Sequence, residues 1–161
     1  MGVRVLGVDP GSRATGWALV VAEGNRYRLE AAGVVRPRGD VREQRLADLH
    51  RAMREVVAAC TPDCAAVESS FSGRNPKSGL ALAECRGVIL AALGCNDFAV
   101  TSYTPAEIKS AIVGNGRAEK QQIGYMVVKL LKLAAPPPAD AADAMAAALT
   151  HVHLGRWRTT R

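Results

Sequence analysis

The sequence predicts an α/β domain built on a five-stranded mixed sheet, three antiparallel strands followed by parallel ones, with helices on both faces. Three observations carry that expectation. Three β-rich runs separated by short turns open the chain, helical and strand periodicities then alternate, and neither a repeat nor a long linker divides the 161 residues.

The first strand spans 3–9 and ends in the turn Pro10-Gly11-Ser12. A second covers 15–22, Glu23-Gly24-Asn25 signals a hairpin, and a third covers 27–35. Short turns make this an antiparallel meander in which the first strand is free to be central. Segment 42–58 places Leu46, Leu49, Met53, Val56 and Val57 at helical spacing. The apolar run 64–68 is a fourth strand. A helix over 78–93 aligns Leu82, Cys85, Ile89 and Leu93, and 98–103 is a fifth strand. Thr104-Pro105-Ala106-Glu107 has the capping Thr, first-position Pro and third-position Glu of a helix start. After Gly114-Asn115-Gly116 a helix is expected over 118–133, stopped by three prolines. Asp140 opens the last helix, to about 152, with Gly155 as its cap. The reading is one domain over 1–154 and a basic tail over 155–161, disordered and loosely attracted to polyanions.

Aromatic residues make up only 4% of the chain, so Ala, Val, Leu and Ile must fill most of the core. Lys and Arg outnumber Asp and Glu by 21 to 15, which favours a polyanionic partner. Arg4 and Asp9 interrupt the N-terminus too early for a signal peptide, and no apolar run reaches membrane-spanning length, so a cytoplasmic protein is expected. Cys60 and Cys64 have a zinc-compatible spacing, but Cys85 and Cys95 do not match it and no histidine lies nearby. Reduced thiols are the better reading.

The acids stand where chemistry can use them. Asp9 ends the first strand and Glu68 the fourth, and ligands of open α/β sheets gather at such carboxyl ends. Asp140 and Asp143, three apart at a helix start, face the same way. Asp9 also suits a turn opener and Asp140 a helix cap; Glu68, closing an apolar strand, has no such plain role. Carboxylates converging within 4 Å would cost about 4 kcal/mol per pair at an effective dielectric of about 20. Divalent cations or raised pKa values are therefore required, and all-oxygen ligation suits magnesium or manganese.

The stretch VLGVDPGSRATGWALV resembles the opening of RuvC-type Holliday-junction resolvases. AVESSFSGRNPKSGLALAECRGVIL resembles the middle of that family, and IKSAIVGNGRAEKQQI with ADAADAMAAALTHVH its last third. The resemblance runs from about 3 to 153 and implies a ribonuclease-H-like fold. It implies that Asp9, Glu68, Asp140 and Asp143 are the catalytic, metal-binding carboxylates, holding two Mg²⁺ per subunit, with Mn²⁺ as a substitute. It implies a homodimer acting on four-way junction DNA, with the branch-migration proteins RuvA and RuvB as partners. Lys109 and Lys120 match the family's DNA-handling lysines, in a segment with five basic residues against two acids. Phe71 matches the base-stacking residue at the junction centre, and Arg74, Asn75 and Lys77 are candidate backbone contacts. Three other readings stay open here: an actin-like ATPase or sugar kinase suggested by DPGSRATG, a related nuclease acting on RNA, and a non-catalytic junction-binding module.

Overall fold

A computed structural model describes residues 2–69 and 75–155. Phe71, Arg74 and the basic tail beyond Gly155 lie outside the described residues.

The strands β1 (Val3–Asp9), β2 (Thr15–Glu23) and β3 (Arg26–Val35) form the meander; Gly24 takes the positive φ that the turn between β2 and β3 needs. Helix α1 (Arg42–Cys60) then crosses back to β4 (Cys64–Glu68), and α2 (Pro76–Gly94) to β5 (Ala99–Tyr103). The sheet order is β3-β2-β1-β4-β5, with β1–β2 and β2–β3 antiparallel and β1–β4 and β4–β5 parallel. Helical crossovers allow the parallel pairs, and short turns the antiparallel ones. The chain closes with α3 (Pro105–Val113), α4 (Lys120–Leu131) and α5 (Ala139–His153).

Strand alternation divides the core into two layers. On one face Leu6, Val8, Leu19, Ala65 and Val67 pack on Leu49 and Met53 of α1 and Ile89 and Leu93 of α2. On the other, Val5, Ala18, Val20 and Ala66 pack on the alanine-rich α5, with α3 and α4 outside it. Strand β1 is buried on both faces, as a central strand must be. Asp9 and Glu68 fall in the alternation of Val5 and Ala66, so both look towards α5.

The structure adjusts the expected boundaries of α2, α4 and α5. Helix α4 starts at Lys120 because Glu119 caps it reciprocally with Gln122, and it stops where Lys132 turns left-handed. Pro138, not Asp140, stands at the N-cap of α5, and Leu154 at its C-cap, with Gly155 at positive φ just beyond. Asn75 caps α2, accepting from the backbone N–H groups of Lys77 and Ser78. Among the described residues no helix is long and apolar enough to cross a membrane. Cys60 and Cys64 are buried, and burial pushes the Cys64 thiol up to about 12.

Candidate active site

The site forms where β1 and β4 end side by side beneath the start of α5. Their parallel register runs Val5–Cys64 to Val8–Val67, so Asp9 and Glu68 come next on neighbouring strands. The residue after Glu68 stays anchored, since the Ser69 N–H donates to the Tyr103 carbonyl at 2.8 Å. From above, the first turns of α5 bring Asp140 and Asp143, each half-buried. With Pro138 at the cap, Asp140 lies inside the helix and caps nothing through its side chain, so the capping role weighed for it is excluded. Pro136-Pro137-Pro138 stiffen the entry to this helix, and Pro at the cap costs no intrahelical hydrogen bond.

Electrostatics ties the four groups into one cluster. Asp9 is pushed up to about 8, first by burial, then by the charges of Glu68, Asp143 and Asp140. Glu68 is also raised, by burial and then by Asp143. Lys120 relieves part of this: its Nζ donates to Asp143 Oδ2 at 2.7 Å, and this bond raises its own pKa. Lys109, from the second turn of α3, reaches the same place. A cleft of about 190 Å³ is lined by Glu68 and Asp143 together with Lys109, Lys120, Pro105, Ile108, Ile123 and Ala146. Lys109 and Lys120 therefore join the predicted carboxylates. Lys77 sits exposed at the start of α2, outside that cleft.

Among the described residues no three of these acids stand close enough to clasp an ion as they are. The donor set nevertheless fits a hard divalent cation. It is all oxygen and half-buried, and Asp9, pushed up to about 8 first by burial and then by its acidic neighbours, shows how far the cluster resists carrying all its negative charge alone.

The family model for "Crossover junction endodeoxyribonuclease RuvC" matches residues 5–151. This chain belongs to that family. A crossover junction endodeoxyribonuclease RuvC from Oleidesulfovibrio alaskensis is 44% identical over 157 residues, covering 98% of this chain and 95% of the relative. The Thermus thermophilus RuvC structure superposes with a TM-score of 0.87 at 31% identity, covering 98% of each chain. T. thermophilus RuvC in complex with a Holliday junction substrate does so at 0.85 and 29%, covering 96% of each. The ribonuclease-H-like fold expected from the sequence is therefore the fold of this chain. Membership of a nuclease family disposes of the actin-like ATPase reading, whose phosphate-loop likeness rests on one short turn.

Two features of the site went unread in the sequence. The ion pair between Lys120 and Asp143 joins residues 23 apart, and no local pattern announces it. Gly7 and Gly16 lie within strands, where glycine often marks a close backbone approach; that signal was present.

Proposed function

We propose that this chain resolves four-way DNA junctions by hydrolysing paired phosphodiester bonds symmetrically, in recombination and repair. One observation carries the reading: a single cleft unites the acids Glu68 and Asp143 with the cations Lys109 and Lys120, beside Asp9 at the end of β1. Such a site holds divalent cations through its acids and a phosphate through its lysines. The family's nucleases are metal-dependent. In this reading Asp9, Glu68, Asp140 and Asp143 hold two Mg²⁺, which Mn²⁺ can replace. When bound, the ions supply Lewis acidity for the attacking water and for the charge on the leaving 3′-oxygen.

The chain's own groups do the rest. Asp9 gives up the proton it holds before it can serve as a ligand. Lys120 leaves Asp143 for a substrate phosphate, which frees that carboxylate, and Lys109 supplies a second cation for the backbone. Lys77 with Phe71 and Arg74 serve the DNA further from the cut, Phe71 by stacking on a base. The working unit is a homodimer of a single domain over 1–154, one site per subunit, with the basic tail attracted to DNA. It acts in the bacterial cytoplasm with RuvA and RuvB.

The test is cleavage of a synthetic four-way junction without nucleotide. Wild type in Mg²⁺ is expected to give symmetric nicks with 5′-phosphate and 3′-hydroxyl ends that ligase seals, and Asp9→Asn none. Binding without cleavage by the wild type would point instead to a non-catalytic junction binder. Preferential cutting of RNA would point to a related ribonuclease.

A further inference from the structure

We propose that Gly16 is a positioning residue for cleavage: its missing side chain sets the gap between Asp9 and the carboxylates of α5. The inference rests on the reading of Asp140 and Asp143 as catalytic.

Gly16 pairs directly with Asp9 across β1 and β2. Opposed residues of an antiparallel pair point to the same face, so a side chain at 16 would stand beside that of Asp9. The space is taken by the backbone of α5. A Cβ at Gly16 would lie 1.9 Å from the Asp140 carbonyl oxygen, 2.4 Å from its carbon and 3.1 Å from the Ala141 nitrogen. Gly7, two residues before Asp9 and on the same face, repeats the arrangement further along the helix. Its Cβ would lie 2.0 Å from the Ala144 carbonyl oxygen and 2.9 Å from the Ala148 nitrogen. Both obstacles are helical backbone, which cannot swing aside as a side chain can. Contacts below 3.0 Å are not tolerated, so an alanine at 16 drives the start of α5 outward by about 1 Å. That is the turn carrying Asp140, with Asp143 one turn on. The two glycines thus let one helix lie directly on the strand pair that ends in Asp9. Catalytic groups misplaced by about 1 Å lose on the order of 100-fold in rate.

The experiment compares full-length wild type, Gly16→Ala, Gly7→Ala and Asp140→Asn. The measurements are thermal unfolding, junction binding in EDTA, Mn²⁺ binding by calorimetry, and single-turnover cleavage across a Mg²⁺ titration. Gly16→Ala is expected to fold and to bind the junction in EDTA within about 3-fold of wild type. It should bind Mn²⁺ more weakly, need more Mg²⁺ for half-maximal cleavage, and cleave about 100-fold more slowly at saturation. Wild-type Mn²⁺ binding and cleavage would overturn the proposal. So would a parallel fall in junction binding and cleavage, which marks a merely structural role. If Gly16→Ala does not fold, Gly7→Ala decides: folded, junction-binding and cleavage-poor supports the proposal, and unfolded overturns it. Full cleavage by Asp140→Asn overturns the catalytic reading of α5 and the proposal with it. Inactive Asp140→Asn beside fully active Gly16→Ala overturns the proposal alone.

Discussion

Asp9 carries the sharpest expectation at the scale of single residues. Its carboxyl, pushed from 3.8 up to about 8, holds a proton in the folded chain that the unfolded chain has already lost. A raised acid of this kind stabilises the fold fully below its unfolded pKa and loses that stabilisation as pH rises through its folded one. Metal-free wild type should therefore lose stability between about pH 4 and 8, while Asp9→Asn, with nothing to ionise, should lack that component. Melting both proteins in EDTA across this range checks it; parallel curves would refute the buried, protonated Asp9. Metal binding near neutral pH should release a proton, visible as a buffer-dependent heat in calorimetry.

Asp140→Asn belongs to the same scale. Since Pro138 holds the cap, the change removes one negative charge without touching helix capping. Metal-free stability should stay equal or rise slightly, and cleavage in Mg²⁺ should fall by orders of magnitude. Junction binding in EDTA should survive or tighten, because one charge facing phosphate is gone. Gel-shift and cleavage assays on one preparation test both halves. Lys120→Met removes the cation paired with Asp143, so it should weaken junction binding and reduce the salt slope by about 1.

Among the elements, α3 depends most visibly on its first turn. Thr104 accepts from the Glu107 N–H at 3.2 Å, and Glu107 Oε2 accepts from the Thr104 N–H at 2.8 Å. Thr104→Ala should cost about 1 kcal/mol of stability, measured by denaturant titration. Cleavage should fall less than in a carboxylate variant, because Ile108 and Ile112 still bury the helix that presents Lys109. Local signals made this helix legible from four consecutive residues. They left α4 two residues too long at each end, where Glu119 and Lys132 settle its limits through their own backbone angles. The capping role weighed for Asp140 fails for a related reason. An acid before an apolar helix suits the cap by composition, and only the path of the three prolines puts the cap two residues earlier.

At the scale of the molecule, the excess positive charge and the homodimer proposed above predict how DNA is chosen. A homodimer with two sites should bind a four-way junction far better than linear duplex, since only the junction occupies both. Affinity should fall steeply with salt as counterions return to the phosphates. Competition between junction and duplex of the same sequence, repeated at several salt concentrations, tests this. Equal affinity would remove the two-site argument.

Asp9 and Glu68 were readable as candidates because each closes an apolar strand, a local pattern; for Glu68 burial makes that costly without a function, while Asp9 also suits the Pro-Gly turn that follows it. The order of elements was readable because turn residues and periodicity are local too. Which strands are neighbours is not local. That β1 lies beside β4, bringing residues 9 and 68 to one edge of the sheet, follows from a crossover whose helix buries its own apolar face. The Lys120 to Asp143 pair, the approach of α5 onto Gly7 and Gly16, and the raised pKa of Asp9 arise in the same way. By itself the sequence determined the order of the elements and singled out four acids as candidates for one site. Only the tertiary structure decided their spacing and protonation, because both depend on burial and on charges brought together from distant parts of the chain.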